Sequence, residues 1–188
     1  MQIRCALVGM PGSGKSTVGR HLAQRLKVPF IDLDHQLEQV LKTSIRQFFE
    51  AEGEARFRDI EAQVLAKVTA RPGGMVLSTG GGAVLRPENR QVLRDFGNVL
   101  YLRASPEEIF KRVKHDRTRP LLQVNNPLQK LRELYAQRDA LYREAATYVI
   151  ETGRPTVQTL VNMIMMQLEM APPRPRQQAP QKHYQNNS

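Results

Sequence analysis

The stretch VGMPGSGKST, residues 8–17, decides how the rest of the chain is read. It contains Gly9, four residues, then Gly14-Lys15-Ser16, a complete phosphate-loop pattern. An apolar run, IRCALV at 3–8, precedes it and reads as a buried strand. After it, Val18, Leu22, Ala23 and Leu26 recur at helical spacing between Lys15 and Lys27. Strand, glycine turn and helix form the context the pattern needs. Glycines let backbone N–H groups point into one concavity, and the helix aims its positive end at the same place. Lys15 is expected to reach the β- and γ-phosphates of a nucleotide, and Ser16 to ligate Mg²⁺. Gly12, Ser13, Gly14 and Thr17 complete the expected nucleotide-binding set.

Outward from this loop, strands and helices alternate. PFIDL at 29–33, MVLST at 75–79, NVLYL at 98–102 and YVIET at 148–152 read as further strands. Asp34 to Leu41 predicts a short helix. Ser44 fits an N-cap with Gln47 as capping-box partner, opening a helical stretch to about Val68 that Gly53 breaks or kinks. Ser105-Pro106 opens another helix, and one more spans Pro127 to about Ala146. In the last helix, Leu160, Val161, Ile164, Met165 and Leu168 form one apolar stripe for the core. The alternation predicts an α/β protein, a three-layer sandwich on a mostly parallel sheet. Residues 171–188 are rich in Pro and Gln and poor in apolar side chains, and read as a disordered tail after a single domain at 1–170.

The chain has 188 residues and a formal net charge of +10. Arg174, Arg176 and Lys182 carry part of that charge in the tail, leaving +7 for residues 1–170. Such a field favours anionic ligands, either phosphate metabolites or nucleic acid. Aromatic residues are only 6% and no cysteine–histidine finger occurs, which leaves nucleic acid without a binding motif. No run of apolar residues is long enough to span a membrane, and the N-terminus lacks the pattern of a secretory signal. The one cysteine, Cys5, excludes an internal disulfide and suits a reducing cytoplasm.

A phosphate loop alone does not say what the nucleotide is for. No N-K-x-D guanine motif is present, and the chain is small for a motor ATPase, so a small-metabolite kinase leads. Three features bear on the acceptor. Asp32 and Asp34 of DLD stand at the end of the second strand, the sheet edge where α/β proteins bind ligands. One could help hold Mg²⁺ and the other meet a substrate hydroxyl, although either could instead cap the following helix. In FFEAEGEARFRDIE, 48–61, the charges Glu54, Arg58 and Glu61 share one helical face, which by itself also suits solvent. In TGGG, Thr79 to Gly82, three glycines suit close approach of a ligand to the main chain.

Taken in order and spacing, GMPGSGKST, DLD, GEARFRDIE, TGGG, RPLL and RDALYREAA resemble shikimate kinase from about residue 3 to 168. The resemblance implies a nucleoside-monophosphate-kinase-like fold with a five-stranded parallel sheet. It implies transfer of the ATP γ-phosphate to the 3-hydroxyl of shikimate, in chorismate and aromatic amino-acid synthesis, by a cytoplasmic monomer. Carried over by motif, Asp34, Arg58, Gly80, Gly81, Gly82 and Arg138 would bind shikimate, and Asp32 would lie near Mg²⁺. Arg119 would be the lid arginine that touches ATP phosphate, within a lid at about 113–126 where Arg112 or Arg117 could also face the phosphates. Arg154 falls near a position that meets the adenine end. Arg58 and Arg138 suit the acceptor carboxylate, since a guanidinium binds one bidentately. Arg58 is expected to lower the pKa of Asp34, and Glu61 to fix the Arg58 guanidinium. A sister enzyme such as gluconate kinase would share the loop and fold but not TGGG and GEARFRDIE.

Overall fold

The computed structural model describes residues 3–115 and 123–170. Five parallel strands form one sheet: β1 (Arg4–Val8), β2 (Phe30–Asp32), β3 (Met75–Ser78), β4 (Asn98–Arg103) and β5 (Tyr148–Glu151). Their spatial order is β2-β3-β1-β4-β5. This is the nucleoside-monophosphate-kinase-like sheet implied above. β1 lies at its centre, paired with β3 through Arg4–Met75 to Leu7–Ser78 and with β4 through Cys5–Asn98 to Val8–Tyr101.

Because successive side chains point to opposite faces, the central strand feeds two cores. Ala6 and Val8 join Leu77, Val99 and Tyr101 in one. Cys5 and Leu7 join Val76, Leu100 and Leu102 in the other. The second core is closed by α1 (Lys15–Leu26) through Val18 and Leu22, and by α8 (Val157–Met170) through Leu160, Val161 and Ile164. Met165 and Leu168 pack at its margin, so the predicted stripe is a core face. The first core is covered by α2 (Leu33–Leu41), α4 (Glu54–Thr69), α5 (Pro87–Phe96), α6 (Pro106–Val113) and α7 (Pro127–Ala145), with Phe48 and Phe49 of α3 (Ile45–Glu52) packed against it. Cys5 is buried, as its apolar surroundings suggested.

Local signals account for most boundaries. Ser105 caps α6 with a closed capping box to Glu108. Ser44 caps α3 by accepting the Gln47 N–H, but the Gln47 side chain accepts from the Thr43 hydroxyl, so that box closes on one side only. Gly53, at φ 82°, ends α3 and starts α4. Helix α5 has no counterpart in the sequence reading. It is short and polar, with Val92, Leu93 and Phe96 as its core contacts, and Pro87 at its start was its strongest signal. Among the described residues no helix is long and apolar enough to cross a membrane.

Candidate active site

The carboxyl ends of β1, β2 and β3 converge on one cleft of about 280 Å³. The topology explains the place: β2 and β3 lie on one side of β1 and β4 and β5 on the other, and the crevice opens where the chain changes direction. Three chain segments line it. The loop after β1 supplies Gly12, Gly14, Lys15, Ser16 and Thr17; the end of β2 supplies Asp32 and Asp34; the turn after β3 supplies Gly80 and Gly81.

The phosphate loop is held open from below. Gly14 caps α1 in the left-handed region, φ 92°, which an L side chain adopts only with strain. The ammonium of Lys15 donates to the carbonyls of Gly9 at 2.8 Å and Met10 at 2.9 Å, and the residue is 8% exposed. In this state the lysine braces the loop that it is expected to serve. Ser13, within the loop, is buried and does not line the cleft, and its hydroxyl is unpartnered.

Ser16 and Asp32 meet directly, the hydroxyl donating to Oδ2 at 2.8 Å. Oδ1 of Asp32 accepts the N–H groups of Asp34 and His35, so Asp32 caps α2 and faces the loop at once. The two readings of this residue therefore coexist, one on each oxygen. A serine hydroxyl and a carboxylate beside a phosphate loop suit Mg²⁺, a hard cation that takes one or two carboxylates and completes its shell with phosphate and water. Among the described residues there is no group of three or more His, Cys, Asp or Glu that could hold a metal ion.

Asp34 is displaced the opposite way from the sequence-based expectation. Its carboxyl is pushed up to about 6, first by burial, then by the nearby Asp32 charge, with Lys15 opposing. Water reaches its side chain in the cleft, but the surrounding walls leave the carboxylate poorly hydrated. Arg58 does not lower it because Arg58 is engaged elsewhere. The guanidinium donates to Glu61 at 2.8 Å and Glu54 at 3.3 Å, and lies over the rings of Phe57 and Phe49. Glu61 is 1% exposed; burial pushes its carboxyl up, and Arg58, Arg138 and Arg86 pull it back. The expected Arg58–Glu61 partnership is therefore present.

The triglycine turn is where these two side chains meet the main chain. A Cβ on Gly80 would lie 2.7 Å from Asp34 Oδ1, and one on Gly82 would collide with the Arg58 guanidinium. Arg138 on α7 acts on the same group without lining the cleft: it attracts Glu61 and hydrogen-bonds the Tyr142 hydroxyl one turn away, and its buried Nε lacks a hydrogen-bond partner. An unpartnered guanidinium nitrogen beside a glycine turn fits an incoming carboxylate.

Other expected residues are more dispersed. Arg154 is exposed in the loop between β5 and α8, away from the cleft lining. Arg119 and Arg117 lie outside the described residues, as does the middle of the expected lid, residues 116–122. Its first residue, Val113, is instead the buried end of α6. Arg112 donates to the carbonyl of Thr152 and, at 3.4 Å, to that of Ser13, which ties the loop before α8 to the phosphate loop. Sequence reading weighed Arg112 only as a phosphate contact and did not assign Tyr142 at all.

Comparison with known proteins adds an independent line. The family model described as shikimate kinase matches residues 11–169. A shikimate kinase of Paracidovorax citrulli is 58% identical over 176 residues, 93% of this chain and 96% of that protein. One of Ralstonia nicotianae is 56% identical, covering 87% of this chain and 86% of its own. The solved structure of shikimate kinase from Acinetobacter baumannii in complex with shikimate superposes with a TM-score of 0.84 at 44% identity, over 90% of this chain and 94% of that one. A gluconokinase from Sinorhizobium meliloti gives 0.61 over 89% of this chain and 92% of its own; at 17% identity it shares the fold alone.

Proposed function

The chain belongs to the shikimate kinase family, and from that premise we propose how its own residues carry out the family reaction. The reaction is ATP-dependent phosphorylation of the 3-hydroxyl of shikimate, giving 3-phosphoshikimate and ADP, with Mg²⁺ required. One observation carries the assignment of roles: the phosphate loop and the triglycine turn open into a single cleft, with Asp34 lining it between them.

Gly12 to Thr17 cradle the ATP phosphates with their backbone N–H groups, at the start of α1. Ser16 and Asp32 would hold Mg²⁺, which neutralises phosphate charge. On the acceptor side Arg138 takes the shikimate carboxylate, supported by Arg58, whose position Glu61 and Glu54 hold. Gly80 to Gly82 let the ring approach the main chain. Asp34 accepts the hydrogen bond of the reacting hydroxyl and orients it. With its carboxyl near 6 it is ionised at neutral pH, yet basic enough to receive the proton as the oxygen–phosphorus bond forms. Lys15 and the lid residue Arg119 meet charge on the transferring phosphoryl group. Arg154 would meet the adenine end of the nucleotide.

The enzyme is proposed to act as a cytoplasmic monomer without nucleic-acid partners, its basic charge serving nucleotide and carboxylate. Residues 1–170 form the catalytic domain in this reading, which the family match to residue 169 supports. The test is a coupled ADP-release assay with MgATP, run with shikimate, with gluconate and with neither. Shikimate-dependent release well above both controls is expected. Equal release in all three would refute the assignment.

A further inference from the structure

Tyr142 is fully buried, yet its phenol ends at the acceptor turn: the hydroxyl donates to the Gly81 carbonyl at 2.6 Å. Burial pushes this phenol up to about 12, against the pull of Arg138, which also hydrogen-bonds its oxygen, and of the more remote Arg58 charge. The ring is held independently of the site. It packs on Tyr101 of β4 at 5.0 Å between centroids, and the Tyr101 hydroxyl donates to Asp139 at 2.8 Å, on the same helix as Tyr142. The phenol is thus a fixed post between α7 and the middle glycine of the turn, one helical turn from Arg138.

We infer that Tyr142 is a positioning residue for the acceptor clamp: by occupying the Gly81 carbonyl, it keeps the Arg138 guanidinium available to the shikimate carboxylate and sets the distance between α7 and the glycine turn. This inference rests on the assignment of the acceptor site above. The physical reason is competition. A half-buried carbonyl that loses its donor seeks another, because leaving it unpaired is costly. Without the phenol, the guanidiniums flanking that point are the charged donors at hand. Each bond they give to Gly81 is withdrawn from the ligand. A phenol fills the position without adding charge, and its rigid ring defines the gap more narrowly than a flexible side chain would.

The experiment compares wild type, Tyr142→Phe and Tyr101→Phe in two-substrate kinetics and thermal melting. Tyr142→Phe keeps the ring and its packing and removes the hydroxyl, both as donor to Gly81 and as acceptor from Arg138. It should raise the shikimate KM roughly three- to tenfold, leaving ATP KM and kcat within about twofold. Tyr101→Phe removes a hydroxyl from the same core at a place that does not touch the turn. It should lower Tm without moving the shikimate KM. If Tyr142→Phe lowered Tm as Tyr101→Phe does but left shikimate KM unchanged, the phenol would be a core bond only and the inference would fall. A rise in both KM values together would also overturn it, by showing general loosening of the cleft. Absence of shikimate turnover in the wild type would instead strike the functional assignment itself.

Discussion

The hydroxyl of Ser16 donates to Asp32 Oδ2 across 2.8 Å and so joins the first turn of α1 to the end of β2. Neither residue needs the other for its local role, since Ser16 belongs to the phosphate loop and Asp32 caps α2. Their contact places two hard oxygen donors together in the cleft, beside the phosphate loop. A cation between them would take over the bond that Ser16 now gives to Asp32.

Asp32→Asn should therefore weaken metal dependence more than folding. The amide still caps α2, because Asn and Asp are comparable at that position. The Mg²⁺ concentration for half-maximal activity should rise by roughly an order of magnitude, with a small change in Tm. Titrating MgCl₂ at fixed ATP measures it; an unchanged Mg²⁺ requirement would remove Asp32 from the metal site.

Lys15→Ala should cut kcat/KM by roughly a hundredfold or more, through lost stabilisation of charge on the transferring phosphoryl group. It also deletes the braces to the Gly9 and Met10 carbonyls, so the loop should lose rigidity. Nucleotide binding measured by calorimetry separates the two effects. Turnover near the wild-type rate would refute both roles.

Asp34 should impose an acidic limb on activity. Its raised carboxyl must be ionised to orient the hydroxyl, so kcat/KM for shikimate should fall as pH drops through about 6. Stability runs the other way. The native state holds this proton more tightly than the unfolded chain, so the contribution of Asp34 to stability is greatest below about pH 4 and is lost as pH rises through 6. Nucleotide-free Asp34→Asn should then be more stable than wild type at pH 7, by about 1 kcal/mol once water in the cleft is allowed for, while its kcat collapses. The gain should vanish near pH 4. Melting curves across pH check this, and a variant less stable at pH 7 would contradict the sign.

The two acceptor arginines should not be equivalent. Arg58 already shares its charge with Glu61 and Glu54, whereas Arg138 keeps a buried nitrogen without a partner. Replacing Arg138 by lysine removes the planar fork and should raise the shikimate KM roughly ten- to a hundredfold at constant ATP KM, as expected for about 1.5–3 kcal/mol of charge-assisted bonding. Arg58→Lys should cost Tm as well, because it leaves the buried Glu61 poorly paired. Equal KM effects with no difference in stability would argue against this division.

Sequence by itself determined the elements whose signals are local. VGMPGSGKST specified strand, loop and helix together, since glycine conformations and the helix start depend on neighbours in the chain. The five strands, the Gly53 break and the α8 stripe followed from apolar period and turn chemistry, within a residue or two. The ordered motifs also identified the family. Helix α5 escaped because its polar surface hides a three-residue core contact.

Tertiary structure decided the electrostatics and the partnerships across the sheet. The pKa of Asp34 moves up instead of down because burial and Asp32 dominate once Arg58 is turned to Glu61. The approach of Asp34 to Gly80 joins positions 46 residues apart, and the bond from Tyr142 to Gly81 joins positions 61 apart. Periodicity and spacing report which face a side chain occupies on its own element. Desolvation and hydrogen-bond choice depend on what the other elements bring to that face, and only the folded chain sets that.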